Sequence, residues 1–257
     1  TMLYSAAAVS FMLDTPVPVI FVGAQRSADR PSSDNAVNAI CSAQAGVSEL
    51  GEVVVCMHAT ANDTACSLHR ATRVRKNHTS CRDAFQSIGR SPVGTVTYPD
   101  GKVVLADDAV KRDDVRLSLL DELEPACGLL TYYPGMNPAV LDAFKGYKGL
   151  VIAGTGLGHT GTDCIEKIAD LAAAGTTVVM TSQCMAGAVC DRVYETGRYL
   201  LDAGVIEGGV IEAGNMLPEV ALVKLMWVLA NADPKDVKRL MQKNLKGELD
   251  VDIRGEN

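Results

Sequence analysis

The chain is poor in aromatic residues and has no apolar run that could cross a membrane. Aromatic side chains make up 5% of its 257 residues, whereas 47% are hydrophobic and 21% are charged. Aliphatic side chains must therefore fill the core, as they do between helices and a buried sheet. A spanning helix needs about 20 consecutive apolar residues, and no basic and apolar signal segment precedes the first predicted element. We therefore expect a soluble, cytoplasmic protein with no membrane partner.

The chain also lacks an excess of positive charge and a cysteine framework. Its formal net charge is −7, and binding to a phosphate backbone needs clustered Lys and Arg. Any contact with RNA is therefore expected to be local or to come through a partner. The eight cysteines are scattered and form no CxxC motif. Free thiols are expected rather than a disulfide framework or a metal site.

Apolar and polar segments alternate in the order that predicts an α/β protein. The first half predicts a helix over 1–13, a strand over 18–24, a helix capped by Ser32 or Ser33 and running through Ala45, a strand over 52–57, and a hairpin turning at Asp100–Gly101. Between the strand over 52–57 and this hairpin, residues 60–86 are polar and basic, and apolar and polar residues alternate only at 72–75.

The second half continues the pattern after a charged, aperiodic connection over 107–124. It predicts strands over 128–133, 150–153 and 176–181, and helices opened by Asn137-Pro138, over 162–174, 191–203 and 218–230, and from Asp233 to Gly247. We therefore predict two parallel-sheet α/β units, 1–115 and a smaller 116–257. Because the pattern begins inside a helix at Thr1, the first unit is expected to be incomplete.

The segment Pro18–Ile40 is the most informative for function. An apolar strand leads into a polar loop and then into Ser-Ser-Asp at a helix start, which is where open α/β sheets bind ligands. Its residues GAQRSADRPSSDNAVN resemble the second-strand loop of the asparaginase/glutaminase amidohydrolases, whose two units are flavodoxin-like. The resemblance implies that Gly23, Ala24 and Gln25 bind the substrate amide.

The same resemblance implies that a threonine hydroxyl attacks a carboxamide. A hydroxyl is a weak nucleophile near neutral pH, so another group must accept its proton. The family uses a Thr–Lys–Asp set, with the threonine and aspartate in a His-Gly-Thr-Asp-Thr motif. Residues Arg70–Phe85 resemble its lysine segment, which identifies Lys76 as the catalytic lysine. To act as a base it must lose its proton, and partial burial between Arg73 and Arg75 would favour this loss.

The first residues of the chain resemble the end of that motif. Thr1-Met2 match its last threonine and the residue after it. The resemblance therefore implies that the catalytic threonine and aspartate, with the glycine-rich first strand, lie before Thr1. On this expectation the chain is inactive by itself.

The second half resembles one branch of the family, the D-type subunit of the archaeal glutamyl-tRNA(Gln) amidotransferases. The motifs that carry this likeness are Thr181–Cys184, Tyr194–Arg198, Asp202–Ile206 and Met216–Trp227. The resemblance implies a homodimeric subunit that releases ammonia from glutamine and passes it to the E-type subunit of the same amidotransferase. The E-type subunit would use ATP and Mg²⁺ to amidate Glu-tRNA(Gln), and no cofactor is expected in this chain. Two departures are a long segment at 207–215 and Asn215 where an aspartate is usual.

Other interpretations stay open at this point. A cytoplasmic type I L-asparaginase would share the same loops and Lys76, and a noncatalytic scaffold would only dock a partner. The cations of the lysine segment could instead form a solvated basic face; they are Arg73, Arg75, Lys76, His78 and Arg82.

Two further motifs allow weaker alternatives. Gly154–His159 follows a strand, but the third glycine of GxGxxG would fall on His159 and no acidic residue ends the next strand, which disfavours a dinucleotide site. In the family this loop lies at an intersubunit face, so His159 is either close to a neighbour's substrate or an ordinary loop histidine. A zinc site is the less favoured interpretation of Cys56, His58, Cys66 and His69.

Overall fold

The computed structural model describes residues 1–114, 116–190 and 210–250. Contacts divide the chain into two compact units, Thr1–Leu120 and Asp121–Asn257. The sequence placed this boundary at 115/116. Within the described ranges, no helix is long and apolar enough to cross a membrane. The helix predicted over 191–203 and the motifs Tyr194–Arg198 and Asp202–Ile206 lie outside these ranges.

The first unit is a mixed sheet with a helix on each face. Its helices are α1 (Met2–Met12) and α2 (Asn35–Gly46), and its strands are β1 (Leu13–Asp14), β2 (Val19–Val22), β3 (Val53–His58), β4 (Ala65–Arg70), β5 (Val74–Lys76), β6 (Phe85–Ser87), β7 (Gly94–Thr97), β8 (Val103–Leu105) and β9 (Ser118–Leu119). Five strands form one sheet in the order β2-β3-β4-β7-β8, in which β2 and β3 run parallel and the other pairs antiparallel. Two antiparallel pairs, β1–β9 and β5–β6, stand beside it.

The central strand β3 explains why helices cover both faces. All six of its residues are buried, and successive side chains of a strand point to opposite faces. Val53, Val55 and Met57 lie in the cluster that includes Ala6 of α1. The alternate residues Val54 and Cys56 lie in the cluster formed with α2. β3 therefore packs against a helix on each face of the sheet, which explains why its residues are apolar without alternation.

The sequence analysis was wrong about the polar segment 60–86, because it did not predict β4. This strand is buried from Cys66 to Arg70 although half of its residues are polar. Arg70 is satisfied by Glu52, with Nε 2.8 Å from Oε2, and His69 Nδ1 lies 2.9 Å from Ser87 Oγ. Hydropathy cannot identify a strand whose polar side chains find partners far along the chain. By contrast, β7 and β8 form the predicted hairpin, with Gly101 at φ +68°.

Within its described residues, the second unit is a parallel sheet between two helical layers. Its strands are β10 (Cys127–Thr131), β11 (Gly149–Gly154), β12 (Thr177–Ser182) and β13 (Ile211–Glu212), in that spatial order, and its helices are α3 (Thr162–Ala173), α4 (Pro218–Asn231) and α5 (Val237–Gln242), with 3-10 segments at Pro138–Phe144 and Pro234–Asp236. Ile152 and Met180 pack with Ile168 of α3. Val151 and Val179 point to the other face and pack with residues of α4. The predicted α/β class is confirmed. The sequence predicted a parallel sheet in the first unit as well, but in its described five-stranded sheet the pair β2–β3 is parallel and the other pairs are antiparallel.

The last helix is shorter than predicted because a buried carboxylate binds the backbone N–H groups that follow it. The sequence predicted one helix from Asp233 to Gly247, but α5 ends at Gln242. Glu248 is fully buried and accepts backbone N–H groups of Leu245 and Lys246 at 2.9 and 2.6 Å. It also pairs with the fully buried Lys224 on α4, with Nζ 2.6 Å from Oε1.

Lys224 of α4 also forms hydrogen bonds with the backbone at the end of α5. Its ammonium donates to the carbonyl oxygens of Met241 and Lys243 at 2.9 and 2.6 Å. Removing the ammonium would leave the buried Glu248 carboxylate without its opposite charge and the Met241 and Lys243 carbonyl groups without this donor. Removing one partner of a buried ion pair strongly lowers the free energy of unfolding.

We predict that Lys224→Met lowers the free energy of unfolding by about 3 to 5 kcal/mol, the usual cost of leaving a buried charge unpaired. Urea unfolding followed by circular dichroism measures this loss. Lys145→Met is the matched control, since Lys145 is 67% exposed in its ion pair with Asp142 and surface pairs contribute little. Equal effects of the two substitutions would contradict the prediction.

Candidate active site

The polar loop after β2 is held in place by one buried carboxylate. Asp34 is fully buried at the start of α2. Its oxygens accept the backbone N–H of Gln25 at 3.0 Å and that of Arg26 at 2.9 Å. A carboxylate that accepts several backbone N–H groups is a strong local tether. The loop is therefore folded back onto the first turn of the helix.

The helix α2 begins later than predicted, after Asp34. The sequence placed the cap at Ser32 or Ser33, but the helix begins at Asn35 with Asp34 as its N-cap. Ser33 Oγ accepts the Asn35 N–H and donates to the carbonyl oxygen of Arg26. Ser32 has φ +60° and belongs to the loop. Asp34 forms no capping bond within its own helix, because its oxygens are directed to the loop.

Asn38, one helical turn after Asp34, holds the other end of the loop. Its Nδ2 donates to the Gly23 carbonyl oxygen and to Asp34 Oδ2, both at 2.9 Å. Residues four apart lie on the same face of a helix, so both side chains reach the loop together. Gly23, Ala24 and Gln25 thus follow β2 in a fixed conformation. Within the described ranges, the buried Gln25 Oε1 has no hydrogen-bond donor.

The first turn of α1 borders this loop. A Cβ added at Gly23 would lie 2.9 Å from Met2 Cε, so the Met2 side chain packs against the loop at this glycine. The N–H groups at a helix start have no partner within the helix, and the helix dipole is positive there. The beginning of α1 and the loop after β2 are therefore adjacent.

Lys76 lies at the end of β5, in a hairpin that shares a core with these elements. Lys76 pairs with Phe85 of β6 in the strand register. Val74 and Phe85 are buried in one cluster to which Met2 and Phe21 also contribute. The hairpin, α1 and β2 are therefore packed around the same apolar side chains.

The surroundings of Lys76 differ from those expected. Lys76 is exposed, so the partial burial between Arg73 and Arg75 is absent from the described part of the chain. Arg73 is buried and Arg75 is half-buried, which also rules out one continuous solvated basic face. Any burial of the Lys76 ammonium has to come from segments other than those described.

A buried histidine stands behind the loop. His58, the last residue of β3, is fully buried, and its Nδ1 lies 2.5 Å from Asn38 Oδ1. Its Nε2 lies 3.0 Å from Asp63 Oδ1, and Asp63 also accepts from Arg82 Nη1 at 2.6 Å. Sequence reasoning missed Asp34, Asn38 and this group. The spacing of four between Asp34 and Asn38 was the available signal.

The partners of His58 determine its protonation. Asn38 Nδ2 faces two groups that only accept, so its Oδ1 faces His58 and Nδ1 must donate. The carboxylate of Asp63 also only accepts, so Nε2 donates as well. Both ring nitrogens of His58 thus face acceptors, an arrangement that favours the imidazolium. Burial lowers its pKa, but hydrogen bonds with Cys66 and Asp63 outweigh this and raise the pKa above its ordinary value.

The zinc interpretation of this region is not supported. Cys56 and His58 do share one face of β3, but His69 lies on the opposite face of β4 from Cys66 and bonds to Ser87. In residues 1–114, 116–190 and 210–250, no three His, Cys, Asp or Glu side chains are grouped to hold a metal.

In the second unit, the glycines of Gly154–His159 serve the loop itself. A Cβ at Gly154 would lie 2.6 Å from the Gly158 carbonyl carbon. Thr155 and His159 form a backbone bridge, and Gly158 has φ +105°. His159 is half-buried. The glycines are thus needed for a tight turn, which explains them without a bound dinucleotide.

Asn215, the other departure noted in the sequence, has a reciprocal partner. Its Nδ2 donates to Asp250 Oδ2 at 2.5 Å, and its Oδ1 accepts the Asp250 N–H at 3.1 Å. Part of the long segment 207–215 lies outside the described ranges.

Family models match both units. The model described as "Asparaginase, N-terminal" matches residues 1–111, and "Glutaminase/Asparaginase C-terminal domain" matches residues 127–241. The chain belongs to the asparaginase/glutaminase family. This confirms the family resemblance inferred from the loop after β2.

Relatives and solved structures within the asparaginase/glutaminase family agree. The chain is 52% identical to the D-type subunit of the glutamyl-tRNA(Gln) amidotransferase of Halobacterium salinarum, over 99% of this chain and 60% of the relative. The same protein of Methanosarcina acetivorans is 51% identical, over 97% of this chain and 58% of the relative. The structure of the Thermococcus kodakarensis L-asparaginase superposes with TM-score 0.85 and 29% identity, covering 97% of this chain and 73% of that one. The predicted resemblance to the D-type subunit is confirmed, and the chain spans about 60% of the length of these curated relatives.

The raised pKa of His58 makes stability depend on pH. A raised histidine pKa stabilises the folded state fully below the ordinary value of about 6.5, and the contribution is lost as pH rises through the folded value. We predict that Asp63→Asn lowers the free energy of unfolding more at about pH 6 than at about pH 9. Denaturant unfolding at both pH values measures this. Asp34 and Cys66 are the other groups that act on His58.

The control is Asp108→Asn. Asp108 is 51% exposed and pairs with the buried Arg70, much as the 55% exposed Asp63 pairs with His58. Arginine does not titrate in this range, so the effect of the control should be the same at both pH values. A pH-independent effect of Asp63→Asn would show that His58 is not an imidazolium.

Proposed function

We propose that this protein releases ammonia from glutamine at a site to which the described chain contributes Lys76, Gly23, Ala24 and Gln25. The observation that carries the proposal is the loop after β2, fixed by Asp34 at the carboxyl end of a strand, beside the start of α1 and the hairpin of Lys76. Identity of about 50% to the D-type amidotransferase subunits supports glutamine as the amide donor.

The chemistry follows the threonine mechanism that the family resemblance implies. A threonine hydroxyl, assisted by an aspartate, adds to the carboxamide carbon while Lys76 accepts its proton. The C–N bond then breaks and ammonia leaves with a proton. Water hydrolyses the resulting ester and releases glutamate and the hydroxyl. Because Lys76 is exposed here, this role requires another segment of the protein to cover it.

The fate of the ammonia follows from the same relatives, whose name specifies a tRNA-linked amidotransferase. We propose that it passes to the E-type subunit, which binds ATP and Mg²⁺ and amidates Glu-tRNA(Gln). With a net charge of −7, this chain leaves most tRNA contacts to that partner. The proposed setting is the cytoplasm, with the amidohydrolase as a homodimer.

We predict that Lys76→Ala in the full-length gene product lowers glutamine hydrolysis by about 10²- to 10⁴-fold, the usual contribution of a general base. Ammonia release measures the rate. Lys76→Arg keeps the charge but cannot lose a proton, so it should be equally inactive; an active Lys76→Arg would assign an electrostatic role instead. Lys102→Ala removes an exposed hairpin lysine and serves as the control. Retained activity in Lys76→Ala would refute the site.

A type I L-asparaginase is the second candidate, because the structural neighbours include L-asparaginases of Thermococcus kodakarensis and Vibrio cholerae. We predict that the full-length protein with its E-type partner and Glu-tRNA(Gln) hydrolyses glutamine faster than asparagine and that tRNA stimulates it. Ammonia release from each amino acid, with and without tRNA, tests this. Rapid asparagine hydrolysis without tRNA or partner would favour the asparaginase. No hydrolysis of either would favour a docking scaffold.

A further inference from the structure

A continuous series of polar contacts connects the two segments of the proposed site. It begins at the Gly23 carbonyl oxygen, which accepts from Asn38 Nδ2, and continues through Asn38 Oδ1 to His58. From His58 it passes to Asp63 and then to Arg82. We call these four side chains, Asn38, His58, Asp63 and Arg82, the relay.

The outer end of the relay lies on the hairpin that carries Lys76. Arg82 belongs to the turn between β5 and β6, and besides Asp63 it donates from Nη2 to the Ala61 carbonyl oxygen. The turn is closed by a hydrogen bond from the Asn77 N–H, next to Lys76, to Ala84 O at 2.7 Å. Arg82 and Lys76 therefore belong to the same hydrogen-bonded hairpin.

The inner part of the relay is buried and its side chains are fully hydrogen-bonded. Asn38 and His58 are both fully buried, and every polar atom of their side chains has a partner at hydrogen-bond distance. Losing one partner would leave a buried donor or acceptor unsatisfied, which costs more than a hydrogen bond contributes. Such a network fixes the relative positions of the segments it joins.

We propose that the relay positions the Gly23–Gln25 loop relative to the Lys76 hairpin, so that His58 and Asp63 are positioning residues for amide hydrolysis. This inference rests on the proposed function for its kinetic consequence. None of the four side chains is assigned contact with the substrate. They act through the Gly23 carbonyl group and through the hairpin turn.

The test compares Asp63→Asn and His58→Gln in the full-length protein. Asp63→Asn removes the charge that links His58 to Arg82. His58→Gln keeps a neutral donor for Asn38 but loses the charged contact with Asp63. Asp63→Glu restores a carboxylate, and Asp108→Asn removes an equally exposed carboxylate that pairs with Arg70 outside the relay.

Two measurements are made on each variant. Hydrogen–deuterium exchange of the peptide over 22–34 reports the order of the loop. We expect it to be about ten- to a hundredfold faster in Asp63→Asn and His58→Gln, the range that corresponds to one hydrogen bond to a charged group. Steady-state kinetics with glutamine should show KM raised by about the same factor with kcat changed less. Asp63→Glu should recover part of both, and Asp108→Asn should leave both unchanged.

The outcomes separate this inference from the proposed function. If the unmodified protein does not hydrolyse glutamine, the proposed function fails, and loop exchange alone decides whether the relay orders the loop. If it is active and both substitutions leave exchange and KM as in the unmodified protein, the positioning role is overturned. Equal changes in Asp108→Asn would also overturn it, since general destabilisation would then explain the effects.

Discussion

The buried carboxylate of Asp34 is the interaction on which the geometry of the candidate site depends. A charge without contact to water must be matched by donors, and here the donors are two backbone N–H groups of the preceding loop and the amide of Asn38. Opening the loop would therefore remove two of these three donors from Asp34. The N-terminus of α2 adds its own favourable field, because the helix dipole stabilises negative charge there.

This arrangement determines which groups of the loop are left for a ligand. The N–H groups of Gln25 and Arg26 and the carbonyl of Gly23 are used to hold the loop. What remains free of these bonds is the exposed Ala24 and the side-chain oxygen of Gln25, which lacks a donor within the described ranges. The Gln25 oxygen is therefore a buried acceptor of this loop that no described residue satisfies.

Sequence reasoning succeeded where structure is determined by neighbouring residues. The strand over 18–24, the hairpin at Asp100–Gly101 and the helices that became α1 and α3 follow from local periodicity and turn chemistry. It failed at β4 and at the end of α5, where Arg70 and Glu248 are buried because Glu52 and Lys224 neutralise them. A local pattern cannot show such a partner. The same limit applies to Lys76, whose residue type was evident but whose surroundings depend on segments outside the described chain.

The charges behind the loop alternate in sign from the core to the surface. Asp34 is negative, His58 positive, Asp63 negative and Arg82 positive, and the contacts that join the last three are short. The buried His58 thus faces the carboxylate of Asp63, while the buried Asp34 is matched by the N–H donors of its loop and of Asn38. Because His58 ends β3 and Asp34 begins α2, the series joins the helix to the strand that runs parallel to β2. The loop is consequently held by the sheet as well as by its own helix. Tethering to the sheet therefore limits the movement of the loop after β2 relative to α2 and β3.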